Sequence, residues 1–510
     1  MKNYYFNEEH EIFRQGLKEF LQREVVPNID KWEDEQRIPK EIWKKFGDMG
    51  YLGLNYSAEY GGEAADFWYS VIFCEEVAKV WSGGFAVTPL VIQFMSTPYL
   101  YKHGSEFIKK KYLIPTVKGE LVSCIGITEP GAGSDVQNIK TRAVREGDYY
   151  IVNGSKTFIT NAVYGDYIVT VVKTDSSRGF EGVSLLIIDR NAAGVSAKKL
   201  KKLGWHASDT AELFFDTVKV PVENLIGEEG QGFIYLMGGL QLERLSGAIS
   251  AIAGCENAMD YTLQYMSERQ AFGRSINKFQ VLRHRMAQLA SEIECTKYFV
   301  YHCCRLHNDG EYVVKESSMA KLLATELSDK VAYQCLQSFG GYGYMEEYKM
   351  ARMFRDSRIL TIGGGSSEIM REIIAKMIID DKQYENKGLT IQYAQSEGQP
   401  AKPAPEAKKT VESPIDAIVA GLTARAATAP SLGKTLKFDF GDQKIFVDGS
   451  GQTNLISTDD KDADCTIGIT LADFTALTTG SLNPMNAFMS GKIKVTGDMS
   501  VAMKLQSLFK

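Results

Sequence analysis

Ile127-Thr-Glu-Pro-Gly-Ala-Gly-Ser-Asp135 marks the change of texture that decides how the rest of the chain is read. It is a strand end running into a glycine-rich loop, where backbone amides and the hydroxyls of Thr128 and Ser134 are free to meet a polar ligand edge closely. A tight turn between two strands would look the same by itself. It is not a G-x-G-x-x-G dinucleotide fingerprint, because the flanking βαβ pattern is missing.

Upstream, residues 1–120 read as helices: Phe13, Leu17, Phe20 and Leu21 recur at helical spacing, as do Ile42, Phe46 and Met49. Residues 121–232 carry short β-rich runs (Tyr149–Val152, Tyr167–Val172, Val183–Ile188, Leu213–Phe215) between Gly/Asn/Asp turns. Long helical patterns return over 233–380, with Met286, Leu289 and Ile293, then Met319, Leu322, Leu323 and Leu327. Helices, then strands, then helices predict a multidomain α+β chain. Residues 381–412 include three prolines, with a fourth at Pro414, among small and charged residues, so a flexible linker is expected over 381–412. Over 413–510 a folded pattern resumes: Leu436, Phe438 and Phe440 alternate with polar residues, and a turn leads into Lys444–Gly449, predicting a hairpin. Helices are expected at 471–479 and 498–509, in one small α/β domain.

The chain has 510 residues and a formal net charge of −6, which argues against a general nucleic-acid binder. Its eight cysteines are scattered, with only Cys303 and Cys304 adjacent and no C-x-x-C pair, and His302 and His307 beside them match no zinc spacing. No metal site is expected, and reduced thiols suit a cytoplasmic setting. The first residues carry no signal or transit pattern, and no apolar run approaches the roughly 20 residues of a membrane span.

The Ile127–Asp135 loop followed by Phe158-Ile-Thr160 resembles the flavin loop of the acyl-CoA dehydrogenase family. Gly204-Trp-His-Ala-Ser-Asp-Thr210, Arg269-Gln-Ala-Phe272-Gly273 and Gln337-Ser-Phe-Gly340-Gly341-Tyr-Gly343 follow in that family's order and spacing. The resemblance covers residues 1 to about 380 and implies the acyl-CoA dehydrogenase fold: a helical domain, a β-barrel-like domain and a four-helix bundle. It further implies FAD as cofactor, an electron-transfer flavoprotein as acceptor, and a homotetramer or homodimer. Carried over position by position, it assigns Ile125, Thr128, Phe158 and Thr160 to the isoalloxazine surroundings, and Ser134 to the flavin or the acyl-CoA. Arg269, Phe272, Gln280, Gln337 and Gly341 are assigned to the pyrophosphate and adenosine, with Ser366 and Glu368 at the cofactor's far end. Where the family often has Trp, this chain has Phe158.

The reaction implied removes an α-proton and a β-hydride, so it requires a carboxylate across the substrate from the flavin. The majority of the family carries that Glu in a Tyr-Glu-Gly-Thr-like turn; the matching run here is Ile362-Gly363-Gly364-Gly365-Ser366-Ser367-Glu368, with Gly364 at the Glu position. The isovaleryl and long-chain types carry it on a helix in a Leu-Glu-Arg-Leu pattern, matched here by Leu242-Glu243-Arg244-Leu245. Glu243 is therefore the expected base, with Arg244, Ser134, Gly364 and Gly365 on the substrate side. An isolated Glu243 would read as an ordinary helical surface carboxylate. Glu129 and Glu368 are weaker candidates.

Gly491-Lys-Ile-Lys-Val-Thr-Gly497-Asp-Met-Ser-Val-Ala-Met-Lys-Leu505 resembles the sterol-carrier-protein family, a small α/β fold over a hydrophobic tunnel. It implies lipid binding, with Met485, Phe488, Met489, Met499 and Met503 as candidates to line a cavity or simply to fill a core. The expected activity is oxidation of a long or bulky saturated acyl-CoA to its trans-2-enoyl-CoA. An acyl-CoA oxidase using dioxygen and a catalytically silent lipid carrier are the alternatives.

Overall fold

A computed structural model describes residues 5–380, 419, 422–423, 426, 431–441, 443–451, 453–478, 487, 492–498 and 501. The chain separates into two compact units, Met1–Glu372 and Ile373–Lys510. The expected linker, 381–412, lies outside the described residues.

The first unit begins with helix α1 (Glu8–Glu24), started by a capping box in which the Asn7 side chain accepts from His10 N and His10 Nδ1 accepts from Asn7 N. Leu17, Phe20 and Leu21 are buried as the spacing predicts. Helices α2 (Glu41–Asp48), α3 (Phe67–Ala78) and α4 (Thr97–His103) follow. Ile42 and Phe46 of α2 are buried, whereas Met49, just past its end, is exposed.

An eight-stranded sheet comes next: β1 (Ser123–Gly126), β2 (Arg142–Glu146), β3 (Tyr149–Thr160), β4 (Tyr167–Lys173), β5 (Val183–Asp189), β6 (Val195–Lys199), β7 (Thr210–Pro221) and β8 (Leu225–Ile226). Its order is β6-β7-β3-β2-β4-β5-β8, with β1 parallel to β4. β4 and β5 are buried almost throughout, as their continuous apolar runs require. The register of β3 on β7 shifts between Lys156 and Ile159. That bulge holds Phe158 at φ +62° and turns its side chain outward, leaving it 69% exposed.

The bundle is built by α5 (Gly232–Glu268), α6 (Gln280–Asn308), α7 (Val314–Phe339) and α8 (Lys349–Ser357), followed by α9 (Ser367–Ala375). A short hairpin, β9 (Gln270–Ala271) and β10 (Arg274–Ser275), joins α5 to α6. Met286, Leu289 and Ile293 are buried on α6 as expected. On α7 the buried face differs from the predicted stripe: Leu327 is buried, but Leu323 is 49% exposed. The buried positions include Ser317, Ser318, Ala320, Ala324 and Thr325, because small side chains let two long helices approach closely.

In the second unit a five-stranded sheet runs β13-β12-β11-β14-β15. The predicted hairpin is β11 (Thr435–Asp439) antiparallel to β12 (Lys444–Asp448); β13 is Leu455–Ser457, β14 Cys465–Gly468 and β15 Lys494–Gly497. Leu436, Phe438, Ile445, Val447 and Phe474 fill its core, Phe474 coming from α10 (Leu471–Thr478). Residues 499–500 and 502–509 of the expected last helix lie outside the described residues, as do Met485, Phe488, Met489, Met499 and Met503.

Candidate active site

Glu243 and Arg244 sit in the first third of α5, a helix of 37 residues. Small residues around them permit close packing: a β-carbon on Gly239 would collide with the Tyr99 hydroxyl of α4. Facing them is the loop that precedes α9. A β-carbon built on Gly364 would lie 3.4 Å from Glu243 Oε1 and 3.9 Å from its Cγ. Gly364 and Gly365 have φ of +65° and +94°, the left-handed region where any side chain is strained. The loop thus presents bare backbone to the carboxylate.

Glu243 keeps partial solvent exposure but is otherwise enclosed by protein. Burial pushes its carboxyl above the usual range, while the Arg244 and Lys321 cations pull the other way without cancelling the effect. Arg244 is 7% exposed; its Nη1 reaches Ser318 Oγ at 3.5 Å and its buried Nε has no hydrogen-bond partner. Lys321 of α7 is 3% exposed and donates from Nζ to Gly365 O at 2.6 Å. Burial, then Arg244, bring the Lys321 ammonium down to about 8 against the opposing pull of Glu243. Tyr99 is buried, and burial together with the Glu243 charge pushes its phenol up. Ser366 Oγ accepts from Ile369 N at the start of α9, and Glu368 is exposed.

A second group of predicted residues gathers around the Thr128 loop. Thr157 N donates to Thr128 O at 2.8 Å, tying the loop to the Phe158 bulge. Ile125, Thr128 and Thr160 are half-buried, and Ser134 is exposed. Beneath the loop, Glu129 accepts from Lys156 Nζ at 2.8 Å, from Thr141 N at 2.9 Å and from Lys140 N. Burial works against its ionisation, but the Lys156 charge and these bonds outweigh it and hold the carboxyl below its usual range. Glu129 is thereby committed to an anchor.

A third group lies at the Gly340–Gly341 turn. Arg269, Gln337, Gly341, Tyr265 and Tyr342 line a groove of about 560 Å³, with the Arg269 guanidinium 5.5 Å from the Tyr342 ring centre. Phe272 and Gln280 stand outside that lining: Phe272 is 94% exposed at φ +52° on the β9–β10 hairpin, and Gln280 opens α6. The Gly204–Thr210 motif has a separate, structural anchor. Asp356, buried on α8, accepts from Trp205 N at 2.6 Å and from Gly83 N at 3.0 Å.

Sequence reasoning missed Lys321, Tyr99, and the Glu129–Lys156 pair. For Lys321 a signal existed: it lies among Ser, Ala and Thr at helical spacing, where a solvated lysine face would carry other charges. Among the described residues no helix is long and apolar enough to cross a membrane, and no cluster of His, Cys, Asp and Glu could hold a metal.

Comparison with known proteins follows this division. Residues 7–120, 124–218 and 230–379 match the models of the acyl-CoA dehydrogenase N-terminal, middle and C-terminal domains. Residues 416–510 match the SCP-2 sterol transfer family. The chain is 39% identical over 381 residues to the long-chain specific acyl-CoA dehydrogenase, mitochondrial, of Rattus norvegicus, covering 74% of this chain and 88% of that protein. It is 40% identical over 371 residues to the short-chain specific acyl-CoA dehydrogenase of Clostridium acetobutylicum, covering 72% and 98%. The crystal structure of acyl-CoA dehydrogenase from Geobacillus kaustophilus is 45% identical, with a TM-score of 0.71 over 73% of this chain and 98% of that one.

Proposed function

From the premise that the chain belongs to the acyl-CoA dehydrogenase family and ends in an SCP-2 domain, we propose that it oxidises a long-chain or bulky saturated acyl-CoA to the trans-2-enoyl-CoA, with Glu243 as the base. The observation that carries this reading is the pairing of Glu243 with Gly364: a carboxylate enclosed by protein faces a backbone position that offers no side chain. Its raised pKa makes it a stronger base than a solvated carboxylate.

The residues present fit FAD. Arg269 brings a guanidinium to a groove whose Gly340–Gly341 backbone leaves room for a diphosphate, and Phe158, turned outward by its bulge, offers a ring face. Thr128 and Thr160 would bond the isoalloxazine edge, with Ile125 beside them and Ser134 toward the acyl-CoA. Gln337 and Gly341 would serve the pyrophosphate with Arg269, Phe272 and Gln280 the adenosine side, and Ser366 and Glu368 the far end. When bound, FAD supplies the acceptor for the β-hydride. Glu243 breaks the α-C–H bond by taking that proton onto its carboxylate, and Arg244, buried next to it, steadies the thioester end.

Electrons then pass to an electron-transfer flavoprotein, as the family resemblance implies, in a homotetramer or homodimer. The SCP-2 domain binds a fatty acyl chain or similar lipid. Relatives of long-chain and short-chain type match about equally well, so likeness does not rank acyl lengths. The test is anaerobic loss of flavin absorbance on mixing the purified full-length protein with butyryl-, octanoyl-, palmitoyl- and branched acyl-CoAs. Fastest bleaching by the long or branched members supports the reading. A protein that carries no flavin, or flavin that no acyl-CoA reduces, overturns it.

A further inference from the structure

Lys321 is a buried cation on a helix face otherwise made of small neutral residues, and its Nζ meets the Gly365 carbonyl at 2.6 Å. Gly365 follows Gly364, the residue set against Glu243. One ammonium therefore spans from α7 to the loop that confronts the carboxylate. The charged groups facing it are Arg244 and Glu243 from α5, Glu326 from its own helix, and Glu368 from α9. Glu243 in turn is faced by Arg244, Lys321 and the Tyr99 phenol. Both loop glycines have positive φ, and a β-carbon on Gly365 would meet Met370 Cε at 2.7 Å, so the turn is pressed against α9 on one side and bonded to Lys321 on the other.

We propose that Lys321 is a positioning residue: its ammonium clamps the Gly364–Gly365 turn and supplies positive charge that favours the ionised Glu243 carboxylate, ready to accept a proton. This rests on the reading of Glu243 as the base. Two devices then act on one carboxylate, a fixed guanidinium beside it and a titrating ammonium across from it. The guanidinium stays charged, whereas the ammonium is lost as pH rises through about 8. The turn is then held by a neutral amine, which makes a weaker bond to a carbonyl than a charged donor does.

The experiment is the pH profile of kcat/KM for the full-length holoprotein, using whichever of butyryl-, octanoyl- or palmitoyl-CoA bleaches the flavin fastest. In the wild type, activity falls below the raised pKa of Glu243 and again above pH about 8. A profile that stays flat above pH 8 overturns the proposal without any variant, so misfolding cannot shield it. Lys321→Met, checked for flavin content and melting temperature, should move the acid limb up by about 1 pH unit or more, the size of effect an opposite charge exerts. It should also abolish the alkaline limb, with the loss in kcat more than in KM. Lys321→Arg should restore the acid limb. Wild-type limbs in Lys321→Met, or a uniform loss at every pH that Arg does not rescue, overturn it. Glu243→Gln is run beside them: retained turnover there defeats the base reading itself, whereas an inactive Glu243→Gln beside a wild-type-like Lys321→Met defeats this inference only.

Discussion

Glu243 Oε1 lies 3.4 Å from where a side chain on Gly364 would begin, so the helix carboxylate occupies the space that a residue on the loop would otherwise fill. A β-carbon there would stand in van der Waals contact with the carboxylate, and the positive φ of Gly364 is what favours glycine at this position.

Gly364→Ala places a β-carbon against the carboxylate and holds an L-residue in the left-handed region, at about 1–2 kcal/mol. A displacement of about 1 Å at a reacting group costs on the order of 10²-fold, so relaxation of the strained turn by a fraction of that should lower kcat by up to about 10-fold while flavin content stays normal. Stopped-flow flavin reduction checks this.

Arg244→Gln removes the guanidinium next to Glu243 and keeps a polar side chain in the buried site. On the proposed role of Arg244 at the thioester end, KM for the acyl-CoA should rise more than kcat falls. Steady-state kinetics at fixed pH separate the two parameters.

Lys156→Met leaves the Glu129 carboxylate, 6% exposed, without its buried counter-charge. Breaking such a pair on one side costs about 3–5 kcal/mol. Denaturant unfolding should show the loss, and the Thr128 loop above it should release flavin. The double variant Glu129→Gln/Lys156→Met should recover part of the stability.

Arg269→Ala removes an exposed side chain, so stability should change by no more than about 0.5 kcal/mol. Hydrogen bonds to charged groups are worth about 1.5–3 kcal/mol. Flavin binding should therefore weaken by roughly 10- to 100-fold, measured by titrating the apoprotein with FAD.

The strands and helices were legible where alternation or helical spacing was strong: β4, β5, α1, α6 and the β11–β12 hairpin all fall on predicted runs. The buried face of α7 departs from the predicted stripe because Leu323 turns outward while serines and alanines beside the buried Leu327 make the close contact. Lys321 carries only the weak signal of its small neutral neighbours, since a lone lysine in a helix reads as solvated until its helix is packed. The outward turn of Phe158 depends on a bulge set by the pairing of β3 with β7, which no local pattern encodes. The Glu243–Gly364 pairing links positions 121 residues apart (364 − 243), and it was reached through family resemblance. The distance between them is what the structure adds.

The account turns on Glu243 as the base, and the most direct measurement is anaerobic rapid mixing of the Glu243→Gln holoprotein with the acyl-CoA that best bleaches the wild type. Flavin content and spectrum should match the wild type, while the rate of bleaching falls by at least about 10²–10⁴-fold, the usual contribution of a general base. Bleaching at a near wild-type rate would show that another group takes the proton and would contradict the account.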